Sequence, residues 1–314
     1  MGEYVAKRLL QFVPTIILVS IAIFGMVRLI PGDPALVIIG PDAPAEQIAI
    51  VRHHMALDRP IWDQYFAWIG RLLKGDLGVS FVNGYPVSRL IALKLPATIE
   101  LALVALVLST LVSIPLGVIG ALRQGKWQDH VITVYTSIAM GMPSFWFAIL
   151  LVLGFSLTLK ILPPSGYVSV FERPLVGLKF LVLPACTLAF FMSAVLARFI
   201  RSSILETLFQ DYVRTARGKG LPQSLVVRRH VLKNALIPVV TVFGIQFGSL
   251  LGGAVITESI FDWPGVGRLL VQSISTRDYN IVQSLILLAA TVYMLVNLIA
   301  DLLYGIIDPR VRQR

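Results

Sequence analysis

The sequence is poor in charge and in cysteine. Only 14% of its 314 residues are Asp, Glu, Lys or Arg, whereas 56% are hydrophobic. Soluble domains carry about a quarter charged residues, so the composition excludes an ordinary soluble protein and predicts an integral membrane protein. The single cysteine, Cys186, excludes a disulfide within the chain and says little about the redox compartment.

The sequence also lacks the motifs of ATP hydrolysis and of metal or nucleophilic catalysis. It contains no Gly-x4-Gly-Lys-Ser/Thr phosphate loop, no His-Glu-x2-His, no Gly-x-Ser-x-Gly and no Cys-x2-Cys. His53 and His54 are adjacent, but neighbouring side chains point in different directions and make a poor chelate. We therefore expect no catalytic residue, no metal site and no cofactor bound by this chain.

Long uncharged hydrophobic runs recur along the chain. A membrane-spanning helix needs about 20 residues with few charges. Six runs without Asp, Glu, Lys or Arg qualify: Leu9–Val27, Leu101–Leu122, Val131–Leu159, Phe180–Ala197, Asn234–Thr257 and Tyr279–Ala300. The third is long enough to tilt, or to break at Gly141-Met142-Pro143, because proline removes a helix hydrogen bond. These runs predict an all-α integral membrane protein with six transmembrane helices.

The first run follows Lys7-Arg8, as a signal peptide would. It is too long for the apolar part of a typical signal peptide, and Arg28-Leu-Ile-Pro-Gly-Asp33 follows it instead of a small-residue cleavage site. We expect it to be a retained span.

The net charge of +10 indicates topology rather than nucleic-acid binding. Most of the 27 basic residues fall in the segments on one side of the six runs, and they are densest between the fourth and fifth runs. Basic connections stay in the cytoplasm, which places both termini there. The opposite side then holds residues 31–96, a proline-containing loop over 160–179 and a turn-rich segment over 258–278. An amphipathic helix from Ile61 to Gly75, rich in aromatic residues, suits the outer membrane interface.

A polar, basic segment from Ser202 to Ile237 interrupts the hydrophobic pattern. Apolar residues at helical spacing predict a first helix, Gly218 and Gly220 end it, and Pro222 stands where a second helix would begin. Three interpretations of this hairpin compete: contact with anionic lipid headgroups, a DNA-reading helix-turn-helix and docking of a partner protein. The membrane tethers the hairpin at both ends, which disfavours DNA. Lipid contact alone does not explain a glycine hinge.

The hairpin resembles the cytoplasmic EAA loop of ABC importer permeases, and is most similar to that of the dipeptide, oligopeptide and nickel family. The resemblance rests on Arg214-Thr-Ala-Arg-Gly-Lys-Gly220 and on the following Asn234-Ala-Leu-Ile-Pro238. Other segments match in type and order: Pro31-Gly-Asp-Pro34, Gly75-Asp-Leu-Gly-Val-Ser80, Phe261-Asp-Trp-Pro-Gly-Val-Gly-Arg268, Arg277-Asp-Tyr279 and Asp308-Pro-Arg310. One departure is that Arg214-Thr215-Ala216 stands where the general pattern has Glu-Ala-Ala. The resemblance therefore implies the docking role without that glutamate.

The resemblance implies a type I ABC importer permease fold. Residues 1–95 would form an N-terminal transmembrane helix with an external segment, and residues 96–307 a permease core of five transmembrane helices with a coupling loop over 201–236. The residues expected to couple to the ATPase are Tyr212, Arg214, Thr215, Ala216, Lys219, Gly220 and Leu221.

The same resemblance implies an assembly in the bacterial cytoplasmic (inner) membrane. The expected partners are a homologous second permease, two cytoplasmic subunits that bind ATP and Mg²⁺, an extracytoplasmic substrate-binding protein and membrane lipids, with no nucleic acid. The expected function is import of dipeptides or oligopeptides. Relatives also handle glutathione, nickel chelates and sugars.

The fifth run carries small residues on one helical face. Gly244, Gly248 and Gly252 repeat at every fourth position and Ser249 lies beside them, a spacing that lets helices approach closely in lipid. One interpretation is packing within the chain. The other places this face against the second permease along the transport pathway, with Gln246 as a polar group in that path and Glu258 at its outer end.

Three charged residues mark the outer ends of the runs: Arg28, Glu100 and Glu258. Charges at such positions can anchor a helix at the membrane interface. The alternative is that Glu100 or Glu258 pairs with a basic group and helps to close an outer gate.

An ion-coupled secondary transporter is the competing class of protein. Such transporters place ionisable groups inside their spans and are commonly built from repeats of broken helices. The six runs contain no Asp, Glu, Lys or Arg, which disfavours that class.

Overall fold

The computed structural model describes residues 2–29, 34–40, 43–54 and 56–307, and these residues are mostly helical. The helices are α1 (Gly2–Leu29), α2 (Pro34–Ile39), α3 (Ala45–His54), α4 (Ile61–Leu73), α5 (Val87–Leu122), α6 (Trp127–Gly141), α7 (Ser144–Leu151), α8 (Pro174–Leu208), α9 (Asp211–Gly218), α10 (Gln223–Val226), α11 (Leu232–Ala235), α12 (Ile237–Ile260), α13 (Val266–Ser275) and α14 (Tyr279–Ile307). Two π-helical stretches, Val152–Thr158 and Val227–Val231, follow α7 and α10. The all-α prediction is confirmed.

Four described helical segments are long and apolar enough to cross a membrane: Leu10–Leu29, Val87–Leu122, Pro174–Leu208 and Tyr279–Ala300. Helix α6 and the segment Ser144–Thr158 make a fifth span if they are taken together, and they are bent by 106°. The bend falls at Met142 and Pro143, so the predicted break in the third run is confirmed. The fifth predicted run coincides with α12, a helix of 24 residues.

Helices α5 and α8 form the centre of the bundle, and both are longer than the runs predicted. Helix α5 begins at Val87 and continues through Pro96 and Pro115. The hydrophobic run did not predict the start of α5 at Val87, because Val87 and Ile91 are buried by residues of α13 and α14 far along the chain. Tertiary packing extends the helix where local apolar composition does not.

We name the two ends of the bundle by what they carry. The hairpin end carries residues 209–236, and the loop end carries residues 261–278. Helices α5 and α8 both run from the loop end to the hairpin end, and α12 returns to the loop end. One buried cluster joins Ala97, Leu181 and Trp263 towards the loop end, and another joins Ala121, Ile200 and Val213 at the hairpin end.

Two glycines set the distance between α5 and α8. A Cβ on Gly117 would lie 2.6 Å from Cγ2 of Ile200, and one on Gly120 would lie 3.2 Å from Cδ of Arg201. No larger residue fits at Gly117 unless the helices separate. This contact brings α5 and α8 together near the hairpin end.

The predicted amphipathic helix is present as α4, and it packs on α1. The ring of Phe24 lies 5.2 Å from that of Tyr65 and 5.7 Å from that of Trp68, and Ser20 Oγ shares a hydrogen bond of 2.9 Å with Tyr65 Oη. The expectation of turns over 258–278 is only partly right, because ten of those residues form α13.

Candidate functional site

The hairpin end has the helix–turn–helix form that its glycines predict. Helix α9 ends at Gly218, Gly220 has a φ of +76°, and Pro222 precedes α10 with a φ of −61°. A φ near +76° is costly for residues with a Cβ, so glycine at position 220 permits the chain to reverse. The one difference is at the start, where the chain leaves α8 at Leu208 and begins α9 only at Asp211.

The hairpin is fixed to the bundle rather than loosely attached. Val213 and Ala216 of α9 are buried in the cluster that includes Ile204 of α8. Asn234 Nδ2 donates a hydrogen bond of 3.0 Å to Tyr212 Oη, which ties the second half of the hairpin to the first. A displacement of α9 therefore carries α8 and α11 with it.

The structure separates the seven expected coupling residues into two groups. Tyr212, Arg214, Thr215, Lys219 and Gly220 are exposed on the outside of the hairpin, Leu221 is half-buried, and Ala216 is only 5% exposed. Ala216 therefore positions α9 and does not itself face a partner. The exposed group lies on α9 and on the turn that follows it.

An ion pair joins α8 to the first turn of α6, with the Asp129 side chain buried and the Arg201 side chain partly exposed. Arg201 Nε and Nη2 donate to the two carboxylate oxygens of Asp129 at 2.7 and 2.8 Å. The backbone N–H of Gly125 adds a bond of 3.0 Å to Asp129 Oδ2. A bidentate guanidinium–carboxylate pair fixes both position and orientation. The ion pair connects α8, which leads into the hairpin, with α6 of the bent span.

The loop end is organised around the carboxylate of Glu258, which is fully buried. Thr98 Oγ1 donates to Glu258 Oε1 at 2.6 Å, and the backbone N–H of Arg268 donates to Oε2 at 2.9 Å. Arg268 lies in the first turn of α13, where free N–H groups and the helix dipole favour a negative charge. Glu258 therefore anchors the start of α13.

Two glycines leave the space that this anchor needs. A Cβ on Gly265 would overlap the carboxylate of Glu258 and the hydroxyl of Thr98, and a Cβ on Gly267 would lie 2.7 Å from Cα of Val255. Neither glycine has a positive φ, so close approach of the backbone is the reason for both. Trp263 completes the unit, since it is buried and its Nε1 donates to Ala97 O at 2.8 Å.

Glu100 holds a different part of the loop end. Its Oε1 accepts from the backbone N–H of Val170 at 2.8 Å, and its Oε2 accepts from Tyr167 Oη at 3.0 Å. Tyr167 also packs edge-on against Trp263, with 4.7 Å between ring centroids. Burial raises the pKa of the Tyr167 phenol, and the Glu100 carboxylate adds to the shift.

The expected pairing of Glu100 or Glu258 with a basic group is not found in the described part of the chain. Both carboxylates are buried in protein, and in the described part of the chain their hydrogen-bond partners are hydroxyl and backbone N–H groups. The side chain of Arg268 instead pairs with Asp262 at 2.6 Å. Backbone N–H groups supply the positive partial charge that we had expected from a cation.

Arg28 lies apart from these carboxylates. Its Nη2 donates to Gln64 Oε1 at 2.8 Å, and its guanidinium carbon is 3.4 Å from the centroid of the Phe24 ring. Arg28 thus joins α1 to α4. The structure does not bring the three charged residues into one cluster.

The glycine face of α12 is directed at α14 of the same chain. A Cβ on Gly244 would lie 2.7 Å from Cβ of Ala300, and one on Gly248 would lie 2.6 Å from Cδ2 of Tyr293. These two glycines serve packing within the chain, because α14 occupies the face that we considered for a second permease. Ser249 and Gly252 lie outside the residues whose surroundings are described. Gln246 is buried and donates to Met192 O of α8 at 3.4 Å.

Sequence reasoning missed Thr98, Asp129, Arg201 and Trp263. Asp129 and Arg201 lie in connections between the hydrophobic runs, where charge indicates only topology, and Thr98 carries no charge. Trp263 stood inside a recognised segment, Trp263-Pro-Gly-Val-Gly267, whose paired glycines were the available signal for close backbone approach.

Two family models match the chain. The model described as binding-protein-dependent transport system inner membrane component matches residues 113–313, and the model for the N-terminal part of such membrane components matches residues 1–102. The glutathione transport system permease protein GsiC of Escherichia coli (strain K12) is 40% identical over 314 residues, which cover 100% of both chains. The protein of the same name from Salmonella typhi has the same identity and coverage.

Two solved structures share the fold. One is an amino acid ABC transporter crystallised with histidines, with a TM-score of 0.53 and 18% identity over 71% of this chain and 94% of that chain. The other is the MetNI methionine ABC transporter in an inward-facing conformation, with a TM-score of 0.54 and 18% identity over 70% of this chain and 96% of that chain.

Proposed function

Because the chain belongs to the family of binding-protein-dependent transport system inner membrane components, the permease subunits of ABC importers, we propose that it imports small peptides, with glutathione as the first candidate. Glutathione is itself a tripeptide. The observation that carries this proposal is the 40% identity, over the whole length of both chains, to permeases named for glutathione transport.

The family also decides two broader points. The chain is a multi-pass membrane protein and not an enzyme, since ATP hydrolysis belongs to partner subunits in ABC transporters. The ion-coupled secondary transporter is thereby set aside as an alternative. Assemblies of this family combine permease, ATPase and substrate-binding subunits.

We assign the docking of the ATPase to the exposed group on the hairpin. Tyr212, Arg214, Thr215, Lys219 and Gly220 form an accessible surface on a rigid support. A docked subunit can shift the permease only through contacts that differ between the two states of the permease. A rigid hairpin transmits such a difference to the helices on which it packs. ATP and Mg²⁺ would bind to the ATPase alone, with one ATPase on this hairpin and one on that of the second permease.

The other expected placements follow from charge and position. The positive-inside rule puts the hairpin and both termini in the cytoplasm, so the loop end would face outwards. Residues 1–95 would act as an N-terminal unit and residues 96–307 as the permease core. The binding protein would touch residues 31–96 and 258–278, while Glu100 and Glu258 would hold the outer loops when the gate is closed.

Uptake by the reconstituted complex tests the substrate. The chain would be assembled with its second permease, its ATPases and its binding protein in proteoliposomes, and uptake of labelled glutathione, a dipeptide and a nickel chelate compared. We expect ATP-dependent accumulation of glutathione or of the dipeptide. Accumulation of the nickel chelate alone would overturn the peptide assignment and leave the permease role intact.

A further inference from the structure

The second half of the hairpin carries a basic surface that the docking role does not use. We call residues 223–235 the second limb; it comprises α10, the π-helical stretch and α11. Arg228, Arg229 and Lys233 are all exposed on it, and the limb contains no Asp or Glu. In the described part of the chain, none of the three takes part in an ion pair.

The three cations share one side of the limb. Val227, Val231 and Ala235 are buried at every fourth position and form the side that packs on the bundle. The cations occupy the remaining surface and are directed away from the protein core. Because Asn234 is bonded to Tyr212, this surface has a fixed orientation relative to α9.

The limb lies next to the hydrophobic helix α12 along the chain. It leads directly into α12, which begins at Ile237, only four residues after Lys233 and eight after Arg229. At 1.5 Å per helical residue, these are about 6 and about 12 Å of chain. The polar headgroup layer of one leaflet is roughly 5–8 Å thick, and the long arms of lysine and arginine extend the charges into it.

The first limb, which we define as α9 and the turn up to Pro222, differs in both charge and position. On α9, Arg214 approaches Asp211 at 3.8 Å, so that surface mixes signs, and the chain from α9 reaches α12 only through the whole second limb. Lipid phosphates are anions that guanidinium groups bind bidentately. We propose that Arg228, Arg229 and Lys233 form a binding surface for the headgroups of anionic phospholipids, separate from the face that docks the ATPase.

The test uses the full transporter complex in nanodiscs of phosphatidylcholine with phosphatidylglycerol. One variant carries three substitutions together: Arg228→Gln, Arg229→Gln and Lys233→Gln. The matched control, Arg214→Gln, Arg217→Gln and Lys219→Gln, removes the same charge from the first limb. Native mass spectrometry would count the phosphatidylglycerol retained, and the ATPase subunits that copurify would be measured in parallel.

The second-limb variant should lose phosphatidylglycerol and keep its ATPases. Each basic residue near an anionic membrane contributes about fivefold in affinity, so three residues give on the order of 100-fold. The variant Arg228→Lys with Arg229→Lys keeps the charge and should keep most of the lipid. Unchanged retention of phosphatidylglycerol would overturn the proposal. Loss of the ATPases with the lipid intact would also overturn it, and would reassign the limb to docking.

The docking assignment of the first limb is tested separately by the control variant, and it fails if that variant keeps its ATPases.

Discussion

The hydroxyl of Thr98 donates a hydrogen bond of 2.6 Å to the carboxylate of Glu258, across the contact between α5 and α12. The same hydroxyl accepts from the backbone N–H of Val266 at 2.9 Å. One threonine thus joins three helices at the loop end. The hydroxyl has one proton, which it donates to the carboxylate, so it can only accept from Val266.

Glu258→Gln should destabilise the protein although it preserves shape. The carboxylate receives donors on both oxygens, and an amide can accept on only one. The amide nitrogen would replace one of the two accepting oxygens and would point its N–H groups at a donor, either the backbone N–H of Arg268 or the Thr98 hydroxyl. Such a mismatch costs about 1–3 kcal/mol when buried. Thermal unfolding of the purified chain should show a lower Tm.

The matched control is Glu172→Gln, which removes an exposed carboxylate near the same end. It should leave the Tm unchanged. Equal Tm values for the two variants would mean that the Glu258 network contributes nothing to stability.

Gly265→Ala should disrupt the loop end more severely. The added methyl group would overlap the Glu258 carboxylate and the Thr98 hydroxyl, so α13 must leave its place. We expect a low yield of folded protein, measured as the monodisperse fraction in size-exclusion chromatography. Gly70→Ala is the control, because nothing lies within 4 Å of a Cβ at that position. Similar yields for both variants would contradict the assigned packing.

Local sequence pattern predicted the long apolar segments, the break in the third run and the hairpin turn, because these depend on near neighbours. The break at Met142 and Pro143 and the turn around Gly220 follow from the residues themselves. The partners of Glu258 and Asp129 do not, since they lie 160 and 72 positions away along the chain. Helix α13 was missed because Gly265 and Gly267 indicated turns, whereas they make room for a carboxylate.

The glycines on α12 left two interpretations open for a related reason. Small residues predict that a helix will approach closely, but they do not identify which helix. The structure places α14 against Gly244 and Gly248. A single sequence cannot distinguish this arrangement from contact with a second subunit.

Replacing Arg201 by lysine should weaken the link between α8 and the bent span. Lysine keeps the charge but cannot bond both oxygens of Asp129 at once, and the loss of one charged hydrogen bond costs about 1.5–3 kcal/mol. Hydrogen exchange should accelerate at Gly125, whose N–H bonds the same carboxylate. Arg198→Lys, at an exposed position of α8, is the control. Unaltered exchange at Gly125 would show that the pair does not hold the turn.

Alanine substitutions at Gly218 and Gly220 distinguish the effect of backbone strain on ATPase docking from the effect of steric crowding. Nothing lies within 4 Å of a Cβ at Gly218 or Gly220, but only Gly220 has a positive φ. Gly220→Ala should cost about 1–2 kcal/mol and reduce the ATPase retained in a pull-down. Gly218→Ala lies in the last turn of α9 and should be neutral or slightly stabilising. If the two variants retained equal amounts of ATPase, the shape of the turn would not matter for docking.

The tight contact of α5 with α8 at Gly117 divides α5 unequally. About 8 Å of helix leads from Gly117 to its end at Leu122, and about 28 Å leads back to Thr98, at 1.5 Å per residue. A rotation about this fulcrum would move Thr98 between three and four times as far as Leu122, and in the opposite sense. If α5 moves as a rigid body, a small displacement at the hairpin end would therefore accompany a larger displacement beside Glu258, as in a lever.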